Sequence, residues 1–165
     1  MLSQPIQLST SQCQQWMAKL LKRAKESGQL GEVPVSAVVI DKSGHCIGHG
    51  SNQRERNKDP LAHAEIIALR QAALIQNDWR FNDCTLIVTL EPCPMCAGAL
   101  VQARMGQVIF GTSDHKRGAL GGSLNLSNHK SSHHHMIVKG GVMEEEAKDV
   151  IENWFKLRRK NYREN

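Results

Sequence analysis

Thr85-Leu86-Ile87-Val88-Thr89-Leu90-Glu91-Pro92-Cys93-Pro94-Met95-Cys96-Ala97-Gly98-Ala99 joins a β-branched run to a run of small residues. Thr85 to Thr89 has the composition of a strand. Pro92-Cys93-Pro94 interrupts it, and a proline start suits the helix expected from Met95 to about Arg104. A strand that passes straight into a helix is the unit of an α/β domain, a sheet covered by helices.

The flanks repeat the alternation. Upstream, Ser9-Thr10-Ser11 offers capping hydroxyls, and Trp16, Met17, Leu20, Leu21 and Ala24 recur at helical spacing. This helix is expected to end near Ser27-Gly28. Val35 to Ile40 reads as a strand, Asp41-Lys42-Ser43-Gly44 as a turn, and Cys46 to Gly50 as the hairpin partner. Asp59 as N-cap and Pro60 at the first helical position predict a helix over about Leu61–Leu74. Its buried side should be Ile66, Ile67, Leu69, Ala73 and Leu74. Downstream, Val108-Ile109-Phe110 is a short strand. Gly118 to Ser132 is an extended Gly/Ser/Asn loop, and Met136-Ile137-Val138 reads as a fifth strand. A last helix runs from about Glu144 to 163, carrying Val150, Ile151, Trp154, Phe155 and Leu157. No internal repeat is present.

The composition fits one globular domain. The chain has 165 residues, 40% hydrophobic and 22% charged. That length buries roughly 70% of the surface of its unfolded form. The longest apolar run, Met95 to Val101, has seven residues, far short of the roughly 20 a membrane span needs. The start, Met1-Leu2-Ser3-Gln4-Pro5-Ile6-Gln7, lacks the basic and apolar regions of a secretory signal. The expected location is cytoplasmic. Five cysteines is an odd number for a disulfide framework. Cys93 and Cys96 read as a metal or redox pair. Cys13, Cys46 and Cys84 are expected to be buried small hydrophobes.

Two segments carry the chemistry. His63-Ala64-Glu65 falls one turn into the helix announced by Asp59-Pro60. Cys93 and Cys96, three apart at a helix start, point the same way. Backbone N–H groups and the positive helix end favour thiolates there. Two thiolates and a neutral imidazole make three ligands for Zn²⁺ and leave a fourth position open, the mark of a catalytic site. An open zinc acidifies water toward about pH 7. Glu65, not needed as a ligand, can shuttle the proton. Together these describe hydrolysis at an electrophilic carbon, which on a nucleobase is deamination. A thioredoxin-like redox pair is an alternative, but it leaves His63 and Glu65 unexplained. A closed structural zinc site is another, with His133, His134 or His135 as fourth ligand.

His-Ala-Glu followed by Pro-Cys-x-x-Cys resembles the signature of the cytidine deaminase superfamily. The flanking segments Gly31-Glu32-Val33-Pro34-Val35, Asp59-Pro60-Leu61-Ala62-His63, Val108-Ile109-Phe110-Gly111 and Asp114-x-Lys116 are similar to its tRNA-specific adenosine deaminase branch. The resemblance runs from about Trp16 to Lys160. It implies a three-layer sandwich with a central mixed five-stranded sheet flanked by helices, working as a homodimer. It implies one zinc per subunit on His63, Cys93 and Cys96, with Glu65 as proton shuttle. It further implies that Asn52, Ala64, Asp114 and Lys116 contact substrate: Asn52 on the target base, Asp114 near the sugar. The implied reaction is deamination of adenosine to inosine at the wobble position of a tRNA anticodon loop. A free-base or nucleoside deaminase, such as one for guanine, is the alternative, and a non-catalytic RNA-binding module a third reading. Ser36 stands where the family usually has Gly, and Ser113 where a charged residue is common. The His129 to His135 stretch is unusual, and the sequence does not account for it.

Charge placement favours a polymer. Net charge is +5. The last ten residues carry Lys156, Arg158, Arg159, Lys160 and Arg163 against Glu164, interleaved with Tyr162 and preceded by Trp154 and Phe155. Arg54, Arg56 and Lys58 form a second basic group. Cations with aromatics suit an RNA loop, whose phosphates need charge and whose splayed bases stack. Arg158, Arg159 and Lys160 are the expected RNA contacts.

Overall fold

Burial is unbroken along β1 (Ser36–Ile40) and β4 (Gln107–Thr112), and nearly so along β3 (Thr85–Leu90). Strands of that kind need cover on both faces. The computed structural model describes residues 4–163, without the side chains of residues 162 and 163. The expectations resting on Met1 to Ser3, on the Tyr162 and Arg163 side chains and on Glu164 therefore lie outside the described residues. With β2 (Cys46–Ser51) and β5 (Ile137–Lys139), the strands form one sheet in the order β2-β1-β3-β4-β5. β1 runs antiparallel to β2 and β3, while β3, β4 and β5 are parallel. This is the expected mixed five-stranded sheet.

Side-chain alternation divides the core. Ala37, Val39, Leu86, Val88, Val108 and Phe110 face one layer, built on α3 (Ala64–Gln76) and α4 (Pro94–Gln102). Val38, Ile40, Ile87 and Ile109 face the other, built on α1 (Thr10–Gln29) and α5 (Glu144–Arg163). The result is the three-layer sandwich. α1 opens with a reciprocal cap: Gln12 N–H donates to Ser9 Oγ at 3.1 Å, and Ser9 N–H to Gln12 Oε1 at 2.9 Å.

Several expectations change. The helix predicted from Leu61 begins at Ala64, with His63 as N-cap. Asp59 uses its carboxylate on Leu61 N–H at 2.9 Å, closing a local turn over Pro60 instead of starting the helix. The buried side of α3 is Ala64, Glu65, Ala68, Leu69 and Ala72. Ile66, Ile67 and Ala73 are half-buried, and Leu74 is 84% exposed. Small residues win the inner face because α3 lies directly on β2: a Cβ at Gly48 would overlap the Ala68 carbonyl and stand 2.8 Å from Ala72 N. A short helix, α2 (Arg54–Asn57), carries Arg54 and Arg56 of the second basic group, and Lys58 is its C-cap. Cys13 and Cys84 are buried, as expected, but Cys46 is exposed, at the start of the edge strand. On α5, Phe155 and Leu157 are exposed, whereas Ala147 is the fully buried contact. Phe155 instead packs edge-on against Trp154, with centroids 5.0 Å apart.

Gly48→Ala should therefore cost about 1–3 kcal/mol, the range for overpacking a tight contact. Thermal melting of the purified variant should show a clear loss of midpoint; an unchanged midpoint would mean that the α3–β2 contact is not tight.

Candidate metal centre and active site

Two helices start with residues that do not cap them. His63 at the α3 N-cap and Cys93 at the α4 N-cap are both extended, and neither side chain accepts a capping bond. Their side chains turn toward each other. His63 Nδ1 lies 3.6 Å from Cys93 Sγ and 3.5 Å from Cys96 Sγ. The three ligand atoms lie within 4.8 Å of one another, forming the single cluster of that kind among the described residues. Pro94 fills the first position of α4, so Cys96 falls on its first turn beside Cys93. Two sulfurs and one imidazole are a donor set that suits Zn²⁺, with a fourth tetrahedral position unclaimed by protein.

The charges are arranged around that cluster. A hydrogen bond from Cys96 pulls the Cys93 thiol down to about 4. Cys96 is pushed up, because it gives that bond and is buried. The hydrogen bond to Cys93 raises His63. Glu65, 4% exposed at the second position of α3, is raised by burial and is also hydrogen-bonded to Cys96. A carboxyl poised to hold a proton therefore sits beside the ligand set.

Asn52 completes the α3 start. Its Oδ1 accepts the first N–H of the helix, Ala64 N–H, at 2.9 Å, and its Nδ2 donates to Val33 O at 3.0 Å. Its backbone N–H bonds Val35 O and its carbonyl accepts Ser27 Oγ. Of its two amide hydrogens one remains for a ligand. Ala64, expected as a substrate contact, presents its backbone N–H to Asn52. Ser36, the departure from Gly, hydrogen-bonds Ser51 at 2.5 Å across the β1–β2 register.

Asp114 and Lys116 lie beyond the end of β4. Asp114 Oδ1 accepts Lys116 N–H and Arg117 N–H, each at 3.0 Å, so the carboxylate folds the turn that presents Lys116. Its Oδ2 has no bond within that turn. Two buried acids were not singled out from the sequence. Glu91, 3% exposed, accepts Asp114 N–H, Leu120 N–H and Gly122 N–H. Glu32, 1% exposed, accepts Glu55 N–H and Arg56 N–H at the start of α2. Their signal was a single acid bordered by strand or turn residues that fold inward.

The basic end of α5 is only partly free. Arg159 and Lys160 are exposed, whereas Arg158 donates to Gly31 O at 3.0 Å and stacks over Trp154. Trp154 donates to Gly28 O. Trp154, Phe155, Arg158, Arg54 and Asn52 line a groove of about 200 Å³. The His129–His135 stretch acquires a structural account. His134 bonds Met105 O and His135 bonds Ser127 O, so two of the three histidines read as fourth ligands of a closed zinc site anchor their loop instead, and His129 bonds Ser131.

The profile of the MafB19-like deaminases matches residues 11–159. A tRNA-specific adenosine deaminase of Haemophilus influenzae is 41% identical over 87% of this chain and 83% of its own. One of Bacillus subtilis is 39% identical over 88% and 89%. A solved structure from work on A-to-I editing by tRNA:A34 deaminases at the wobble position superposes with a TM-score of 0.78. It is 34% identical and covers 81% of this chain and 96% of that one.

Loading the metal-free protein with Zn²⁺ near pH 7 should release about one to two protons per ion, from Cys96 and in part from His63. Affinity should rise with pH, most steeply while His63 is still protonated, and go on rising above that while the metal-free Cys96 keeps its proton. Calorimetry in buffers of different ionisation enthalpy measures the release; zinc uptake without protons would remove Cys96 from the ligand set.

Proposed function

The chain belongs to the MafB19-like deaminase family, and on that premise we propose that it hydrolyses adenosine to inosine at the wobble position of tRNA. The observation that carries this reading is the meeting of His63, Cys93 and Cys96 within 4.8 Å, with the buried Glu65 beside them. The close relatives act as tRNA-specific adenosine deaminases by name.

His63, Cys93 and Cys96 would hold one zinc per subunit. When bound, zinc supplies a water whose pKa falls toward about 7. Glu65 would take one proton from the attacking water and deliver it to the ring nitrogen next to the attacked carbon as the C–O bond forms. It would then take the second proton from the added hydroxyl and hand it to the departing amine, so that the C–N bond breaks, the carbonyl of inosine forms and ammonia leaves. Its burial, which raises its pKa, suits a group that must both take and give a proton. Asn52, fixed by Val33 and Ala64, offers its remaining amide hydrogen to the base. The Trp154–Phe155–Arg54–Arg158 groove beside Asn52 and the exposed Arg159 and Lys160 fit a flanking nucleotide and the phosphates of the anticodon loop.

A homodimer is part of the proposal. Leu61, Leu74, Ile75 and Trp79 are exposed on and around α3, apolar surface that a second subunit could cover. No described helix is long and apolar enough to cross a membrane. The proposed setting is the cytoplasm, where tRNA is found.

Zinc-loaded protein should make inosine in a transcribed tRNA and leave free adenosine and free guanine largely untouched. Ammonia from guanine alone would favour the free-base alternative. Glu65→Ala should keep one zinc per chain and lose on the order of 10²–10⁴ in rate; near-normal turnover would sink the shuttle. Replacing Arg159 and Lys160 by Ala should flatten the log–log salt dependence of stem-loop binding by about 0.7 per cation without moving the melting midpoint. Arg158→Ala should in addition destabilise by about 1 kcal/mol, because it loses the bond to Gly31. Equal slopes for all variants would make the tail a solvated helix end.

A further inference from the structure

Glu91 stands at the junction of two segments that the parallel sheet brings side by side. β3 and β4 are parallel, with Leu90 opposite Thr112, so the chain leaves both strands at the same edge. One exit leads to Cys93 and the other to Asp114. The Glu91 carboxylate spans the gap. Oε2 takes Asp114 N–H at 2.9 Å, and Oε1 takes Leu120 N–H at 3.0 Å and Gly122 N–H at 2.7 Å. Ala119 N–H closes the same seam on Pro92 O at 2.9 Å. The fit leaves no room beside the carboxylate. A Cβ at Gly118 would overlap it, and one at Gly122 would stand 2.5 Å from Oε2.

Asp114, held by Glu91 through its backbone, uses its own carboxylate to fix Lys116 N–H and Arg117 N–H. Two carboxylates thus act in series. The outer end of the series is His115-Lys116-Arg117, three exposed side chains on a braced turn. Neither Lys116 nor Arg117 forms an ion pair among the described residues. A rigid turn bearing free cations loses little conformational freedom when it meets a phosphate.

We propose that Glu91 is a positioning residue that docks the 114–122 loop onto the Cys93 turn, so that Lys116 and Arg117 grip the phosphates of the RNA strand entering the site. The inference rests on the RNA-deaminase reading above and adds to it the element that aligns the strand with the metal turn. The ligand is a single-stranded polyanion. Free adenosine, which lacks the phosphates, gains nothing from this element.

The test uses full-length zinc-loaded protein and a transcribed anticodon stem-loop. Glu91→Gln places an amide donor against backbone donors and should release the loop. KM for the stem-loop should rise by about tenfold while kcat and zinc content stay close to wild type, the pattern of lost binding rather than lost chemistry. Lys116→Ala with Arg117→Ala should lower the salt slope of binding by about 0.7 for each cation. A fall in kcat at unchanged KM, or loss of zinc from Glu91→Gln, would overturn the proposal and make Glu91 a support of the metal turn alone. If Glu91→Gln does not fold, the Lys116/Arg117 variant decides, because both side chains are exposed; an unchanged slope overturns the proposal. A wild type that is inactive on the stem-loop would instead overturn the functional reading itself.

Discussion

Everything at the site depends on how two helices begin. A helix leaves its first backbone N–H groups without partners, and the usual remedy is a Ser, Thr, Asp or Asn side chain at the N-cap. Here those positions hold His63 and Cys93, whose side chains are turned away from the backbone toward one another. The helix ends are therefore not self-sufficient. They are fixed from outside, α3 by Asn52 and α4 by proline at its first position. Ligands placed at helix starts gain the positive end of the backbone dipole, which stabilises thiolate. At α3 they also gain rigidity, since its first turn lies close against Gly50 of β2.

Buried acids serve as substitutes for local capping. Glu32 supplies the missing N-cap acceptor of α2 from more than twenty residues away, and Glu91 gathers three amides of one loop. A carboxylate withdrawn from water is costly unless its oxygens are satisfied. Three N–H donors meet that need, and they give Glu91 a purpose that is structural before it is chemical. The exposed ion pairs, such as Arg80–Asp78 and Lys156–Glu152, contribute much less, because water and salt screen them.

The legible and illegible parts of the chain separate along the same line. Strand positions, the α1 cap and the His-Cys-Cys set were readable, because each follows from neighbours in sequence or from ligand chemistry. The start of α3 was misread because Asp59-Pro60 carries a valid local helix signal. Asp59 equally suits a turn, and here its bonds to Leu61 and Ala62 close one before the helix begins. The inner face of α3 was misread for a steric reason. Periodicity assigns large residues to the core, but Gly48 brings the strand so close to α3 that alanines stand opposite it, at Ala68 and Ala72. Glu32, Glu91 and the Arg158–Gly31 bond were invisible, since each joins segments far apart in the chain. The grouping of His63, Cys93 and Cys96 was legible and its scaffolding was not.

The bond from Arg158 to Gly31 and that from Trp154 to Gly28 span 127 and 126 residues. On a ribosome, which releases the N-terminal part first, such contacts are the last that can form. The cysteines and histidine of the cluster emerge well before the helix that walls the groove beside Asn52. Synthesis thus imposes an order: His63, Cys93 and Cys96 are released while the wall built by Trp154 and Arg158 is still absent. Contacts this distant in sequence also slow the search for the native state. The groove beside Asn52 is then the last part of the molecule that synthesis can complete.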